Sequence, residues 1–226
     1  MKRFSLLTLL VLSTIFGFSQ TDHSGLYSYT NKIKVKAPAS EKARGPNGQL
    51  VLLKMEGNLY RFWLDVTTGW PNYNVGETDG TITLVNDTAS FDNTFEDAER
   101  PCILNFQLSN NVITINSQST SFNCGFGNGV HADGEYTFDK VQPKLDNIWL
   151  QKEYYSSPTI EVIKNKAQLY SDENCLYAKT QFFVKGNKLL SIAENQTSIY
   201  TEFITPDGKF MWGWLNKKDV KIKAAE

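Results

Sequence analysis

Apolar and polar residues alternate with a period of two along most of this chain, and Gly, Asn and Asp interrupt the alternation at short intervals. Gln49 to Met55 and Leu59 to Val66 flank Glu56-Gly57-Asn58, which predicts a hairpin with a glycine-containing turn. In the second run Tyr60, Phe62, Leu64 and Val66 share one face, and Leu59, Arg61, Trp63 and Asp65 share the other, because strand side chains alternate across a sheet. The first set is the expected core face. Further short strands are expected at Gly80 to Val85, Ala89 to Phe91, Cys102 to Leu108, Val112 to Asn116 and Gly134 to Phe138. Asn110-Asn111 marks a turn, since Asn tolerates the positive φ that such turns require. Helical periodicity over about 12 residues is absent from the pattern, and Asp92 to Arg100 reads as a loop or a single helical turn before Pro101.

Val141 to Pro158 breaks the alternation with two prolines and the Ser156-Ser157 pair, so it is the expected linker (141–158) between a domain over 21–140 and another over 159–226. Beyond it, Ala167 to Tyr170, Gln181 to Val184, Lys188 to Ala193, Ser198 to Ile204 and Phe210 to Leu215 each fit a short strand. Pro206-Asp207-Gly208 is a strong turn between the last two. The expected fold class is all-β, with an N-terminal antiparallel β-barrel or sandwich followed by a small SH3-like barrel.

Three segments of the second half carry a resemblance. Phe183-Val-Lys-Gly-Asn-Lys-Leu-Leu190, Gly208-Lys-Phe-Met-Trp-Gly-Trp-Leu215 and Lys217-Lys-Asp-Val220 resemble the bacterial SH3 domain, which runs through a strand, a "kGdkv" stretch, a hairpin strand, "GW" and a closing "kkdl". Where that family often has a tryptophan before the hairpin strand, this chain has Ser198-Ile199-Tyr200. The resemblance implies a small barrel that accompanies cell-wall chemistry, with Trp214 in its core. The first half resembles uncharacterised secreted bacterial domains through Cys124-Gly-Phe-Gly127 and Ala132-Asp-Gly-Glu-Tyr136, preceded by Cys102-Ile-Leu-Asn-Phe106. Its general layout is similar to that of exported β-barrel lysozyme inhibitors, without the Ser-Gly-rich loop of the best-known inhibitor family.

Composition narrows the setting. Met1 to Gln20 reads as a secretory signal peptide: Lys2 and Arg3, an apolar run from Leu6 to Phe16, then Gly17-Phe18-Ser19 with small residues for the peptidase. The run is shorter than the roughly 20 residues a membrane span needs, and no cysteine follows it for lipid attachment. A periplasmic or secreted location is expected, with no membrane anchor after cleavage. Loss of Lys2 and Arg3 takes the formal charge from −1 to −3, and no basic patch appears, so nucleic acid is a poor partner.

An oxidising compartment gives the three cysteines meaning. Cys102 and Cys124 lie close enough in sequence to bridge, leaving Cys175 over. The glycine-rich stretch from Cys124 to Tyr136 also holds His131 and Asp133, and a thiolate with imidazole and carboxylate would suit a cell-wall hydrolase. That alternative lacks the nucleophile-bearing helix of such enzymes, so a disulfide and no catalytic residue are expected. His131 lacks the companions a zinc site needs, the glycines match no phosphate loop, and the acidic cluster of Asp92, Glu96, Asp97 and Glu99 lacks calcium-loop spacing. No metal and no cofactor are expected. The candidate ligand-binding residues are aromatic: Trp70 and Tyr73 on one loop, and Tyr200 and Trp212 on the second barrel. The expected function is that of an exported, non-enzymatic binding protein for a peptidoglycan fragment or another exported protein, a lysozyme-inhibitor-like role being one version. A passive interaction scaffold is a further alternative.

Overall fold

The structure, a computed structural model, describes residues 21–31, 44–94, 97–118 and 121–222. The expected signal peptide, together with Glu96 of the acidic cluster, lies outside the described residues.

Eight strands build the first sheet: β1 (Gly25–Thr30), β2 (Asn47–Glu56), β3 (Leu59–Thr67), β4 (Val75–Thr83), β5 (Thr88–Asp92), β6 (Ile103–Ser109), β7 (Val112–Ser117) and β8 (Gly134–Phe138). Their order is β4-β3-β2-β1-β8-β7-β6-β5, every pairing antiparallel, and the sheet curls into a nearly closed barrel. β1 is an addition to the strands the alternation predicts, and it joins the two halves of the barrel by pairing with β2 and β8. The β2–β3 turn takes the positive φ that its glycine allows, with Gly57 at 54°. Tyr60, Phe62, Leu64 and Val66 all point into the core, which also holds Tyr136, Leu104, Phe106 and Ile115.

The seam between β4 and β5 is where the barrel fails to close fully. An isolated bridge, Val85 to Thr88, joins them at one end. Two aromatic rings pack against glycines of β4. The Phe126 ring sits where a Cβ on Gly76 would come within 2.5 Å of it, and the Phe91 ring covers Gly80 in the same way. Phe126 belongs to the segment that opens at Cys124, where the expected Cys102–Cys124 disulfide is present. Backbone bonds complete the closure, with Gly127 N–H donating to the Val75 carbonyl at 3.0 Å.

The stretch expected to be a linker contains a helix, α1 (Asn147–Glu153). Asp146 starts it by accepting from the Ile148 and Trp149 amides at 2.9 and 3.1 Å. Leu150 of this helix is fully buried.

The second unit contains β9 (Thr159–Val162), β10 (Lys166–Tyr170), β11 (Ala178–Val184), β12 (Lys188–Leu190), β13 (Ala193–Glu194), β14 (Ser198–Ile204), β15 (Phe210–Asn216) and β16 (Val220–Ile222). They form a five-stranded sheet ordered β11-β10-β15-β14-β13 and a three-stranded sheet ordered β12-β9-β16. Ile160, Val162, Leu169, Ile199 and Leu215 make the core between them. Trp214 departs from the expected core position. It lies on the face opposite Leu215, its ring 5.5 Å from that of Tyr200. Strand alternation puts it on the face shared with Trp212, while Gly213, at φ 148°, shares the Leu215 side, where a Cβ would meet the Tyr170 carbonyl at 2.6 Å.

Candidate functional site

Concave surface and chemistry meet at one end of the first barrel. The loop after β3 turns at Gly69, whose φ of 65° and lack of Cβ let it press against the backbone of Arg44 and Gly45. Thr67 and Thr68 hold that loop by accepting from the Gly69 and Asn74 amides at 3.2 and 3.1 Å. Trp70 N–H donates to the Arg44 carbonyl at 2.8 Å. The Asn74 side chain then reaches across to the Asn128 carbonyl at 2.7 Å, which fastens the loop to the glycine-rich stretch.

These ties create a cleft of about 300 Å³ lined by Trp70, Tyr29, His131, Thr67, Thr68 and Pro46, with Gly129 at its edge. That volume is at the small end of known ligand sites. The Tyr29 ring is held edge-on to Tyr136 at 4.9 Å, and Tyr136 is itself anchored through its hydroxyl to the Ala132 carbonyl at 2.8 Å. Burial, with a further contribution from Asp133, pushes the Tyr29 phenol above its ordinary value, so it presents an O–H rather than a phenolate. An aromatic wall, a phenol, an imidazole and flanking hydroxyls can stack a flat apolar face while bonding a polar rim.

The four candidate aromatics divide. Trp70 lines the cleft, joined there by His131, whose companions on the strand side were not visible in the sequence. Tyr73 is 46% exposed with φ 51°, and its hydroxyl accepts from the Arg44 amide at 3.4 Å outside the cleft. Tyr200 and Trp212 sit elsewhere, on the side of the second unit that faces the first. Comparison with protein-family models, curated proteins and solved structures finds no match. The chemistry must therefore be read from these side chains themselves.

The face that carries Tyr200 and Trp212 is largely covered. Val51, Leu53 and Trp63 on the outside of β2 and β3 pack with Leu150, Leu190, Ile204 and Phe210 into one apolar cluster, and Trp212 lies against it. The Trp63 ring meets Trp149 edge-on at 4.9 Å and Phe210 at 6.2 Å. Beside this cluster Glu202, whose side chain is fully buried, lies 3.0 Å from Arg61 Nε, at an angle too oblique for a hydrogen bond. The Tyr154 hydroxyl links the pair: it accepts from Arg61 at 2.8 Å and Trp63 at 3.2 Å, and donates to Glu202 at 2.8 Å. Tyr200 donates to the other carboxylate oxygen at 3.1 Å, and Asp79 adds a second carboxylate to Arg61. Burial raises the Glu202 carboxyl more than Arg61 and the two hydroxyls lower it. Burial also acts to lower the Arg61 guanidinium, but the fields of Glu202, Tyr154 and Asp79 hold it above its usual value. Lys179 stands 3.3 Å over the Trp212 ring.

Sequence reasoning missed this junction, although one signal for it was present. Leu50-Val51-Leu52-Leu53 is apolar without interruption, the pattern of a strand buried on both faces, and all four are buried.

The remaining candidates have structural occupations. The Cys124 sulfur is bonded to Cys102, so it supplies no thiolate in this state. Asp92 accepts from the Thr94 amide at 2.8 Å and from its hydroxyl, bonds that hold its carboxyl below the ordinary range. Asp97 accepts from the amides of Glu99 and Arg100. No cluster of three metal-ligating side chains occurs among the described residues. Burial, then Asp172, pushes the free Cys175 thiol upward, away from thiolate reactivity.

Proposed function

We propose that this chain is an exported binding protein and that the cleft at the end of the first barrel takes a sugar ring or short peptide of the cell wall. The observation that carries the reading is the convergence of Trp70, Tyr29 and His131 on one cleft of about 300 Å³, from three separate parts of the chain. Trp70 offers a face for stacking, while Tyr29 and His131 offer polar groups for the rim of a sugar. The Cys102–Cys124 bridge is compatible with an oxidising compartment, and no helix among the described residues is long and apolar enough to cross a membrane. The resemblance of the second unit to bacterial SH3 domains agrees with a cell-wall setting. A lysozyme-inhibitor-like role is the protein-binding version of the same proposal.

The test is retention of the mature protein on isolated sacculi, with a lysozyme panel run in parallel. Retention on sacculi is expected, and Trp70→Ala should weaken it about tenfold or more, whereas Tyr73→Ala should leave it nearly unchanged. Retention on neither material would sink the proposal.

A further inference from the structure

The second unit leaves one long strand edge open. In its five-stranded sheet β11 stands at the end of the order, with β10 its only ladder partner among the described strands. The other edges of this unit are short, with two residues in β13 and three each in β12 and β16. Individual bonds fix which way the β11 backbone groups point. The Ser171 amide donates to the Tyr177 carbonyl, and the Gln168 side-chain amide donates to the Lys179 and Gln181 carbonyls. At the far end Val184 turns away from β10, its amide donating to the Asn187 side chain and its carbonyl accepting from the Asn187 amide. Successive residues of a strand alternate sides, so Tyr177, Lys179, Gln181 and Phe183 face β10, while Ala178, Thr180 and Phe182 turn their N–H and C=O outward. The bulge in this ladder keeps that phase. Between the Gln168–Phe182 and Tyr170–Ala178 pairs, Lys179, Thr180 and Gln181 stand against Leu169 alone, and an excess of two residues preserves alternation.

The side chains along this edge are apolar and in solvent. Leu176, Tyr177, Phe182 and Val184 are 72, 69, 41 and 47% exposed, and Ala178 and Thr180 between them are exposed as well. Open edges are ordinarily guarded by charge, yet none of the outward residues is charged, and Lys179, the one lysine of the strand, lies over the Trp212 ring at 3.3 Å. Exposed apolar groups this concentrated mark an interaction surface. The edge is also complementary to itself. Turned about a two-fold axis at Thr180, a second copy runs antiparallel and sets Thr180 opposite Thr180, Ala178 opposite Phe182 and Lys179 opposite Gln181. A large ring then meets a small side chain, threonine meets threonine, and no cation faces a cation. In that register every outward residue falls in a hydrogen-bonded pair.

We propose that β11 is a self-association edge, through which two copies of this chain pair antiparallel about Thr180 and join their five-stranded sheets into one.

Sedimentation of the full mature chain from about 1 μM to about 1 mM tests this. A Cys175→Ser background without reductant keeps the free thiol from linking copies and leaves the Cys102–Cys124 bridge intact. A reversible monomer–dimer equilibrium is expected. Thr180→Pro removes an outward N–H and should weaken the dimer about tenfold or more, and Phe182→Lys should do the same, with circular dichroism matching the parent in both. Cross-linking reads the register. On mild oxidation Thr180→Cys in the same background should form an interchain disulfide, since directly opposite Cβ atoms come about 5 Å apart. Ala178→Cys should not, because about four residues separate it from its own copy in this register, roughly 13 Å. A chain that stays monomeric throughout overturns the proposal and gives the edge to a different protein. So does a dimer indifferent to both Thr180→Pro and Phe182→Lys, or cross-linking through Ala178→Cys in place of Thr180→Cys.

Discussion

The first barrel wraps eight strands around a single core and closes its seam with a disulfide and two aromatic rings, whereas the second divides its strands between two sheets and leaves a seam covered by one short helix. The first is held mostly by its own chain. The second leans on its neighbour, since Leu190, Ile204 and Phe210 are buried in the shared cluster and Glu202 finds its cation on β3. A small barrel has little interior to bury, and burying one face against a partner makes up the deficit. The same contact covers most of the face that carries Tyr200 and Trp212. Dependence and occlusion are two results of one packing arrangement.

The most forceful way to break this asymmetry is Glu202→Ala. It leaves the Arg61 guanidinium at the junction with only exposed Asp79 and the Tyr154 hydroxyl, and the expected loss is roughly 3–5 kcal/mol. Denaturant unfolding would measure it, and hydrogen exchange should show the second barrel opening first. If the strands of the first barrel opened earlier, the assigned dependence would be reversed.

Replacing both Cys102 and Cys124 by Ser acts on the other side of the comparison. The bridge spans a sequence separation of 22, and loop entropy places its removal at roughly 3 kcal/mol. Exchange should accelerate in β5, β6 and the segment near Cys124, with the β14–β15 amides following only on global unfolding.

Alkali offers a probe of comparable size that touches both units. Burial, assisted by Tyr60 and Asp22, pushes the Tyr27 phenol from 10.0 to about 12. An unfolded Tyr27 would release its proton near pH 10 while the folded one keeps it. The stabilisation is thus fully present below pH 10 and is lost as pH rises toward 12, costing roughly 3 kcal/mol for this residue. Tyr136 in the first barrel and Tyr154 and Tyr200 at the junction are raised further, each chiefly by burial. Tyrosinate absorbance should therefore rise together with loss of structure above pH 10. A smooth titration of these phenols in a fully folded protein would contradict their burial.

The smallest expected effect is Gly76→Ala. A Cβ there meets the Phe126 ring at 2.5 Å, and displacing that ring should cost about 1–3 kcal/mol with most of the change near the β4 seam. A neutral substitution would show that the ring is not a plug.

Much of the first barrel was legible because its turns announce themselves. Gly57 and Asn110 both take the positive φ expected of them, and β3 buries the face that alternation assigns. β4 starts at Val75 rather than Gly80, since Glu77, Asp79 and the glycines at 76 and 80 hide a strand whose inward face is made for other residues' rings. β9 and β16 are too short to show a period, and Lys188 to Ala193 divides into β12 and β13 where the chain passes between sheets. The cleft was half visible. Trp70 stood out as an aromatic on a loop, but Tyr29 and His131 join it only through long-range folding. Arg61 and Trp63 were assigned to an outward face correctly, and alternation has no means of stating that a second unit lies against it.

The glycine-rich segment after Cys124 also governs how this molecule meets its own copies. A free strand edge invites pairing with the edge of another chain, which is how soluble sheets begin to polymerise. Here Gly127 occupies the Val75 carbonyl, and the Phe126 ring stands over β4, so the lip that another molecule would grasp is filled from within. Because the covalent anchor of that segment is the bridge to Cys102, the colloidal lifetime of the protein is tied to the oxidation state of its surroundings. Under reducing conditions it should begin to form oligomers well before it unfolds.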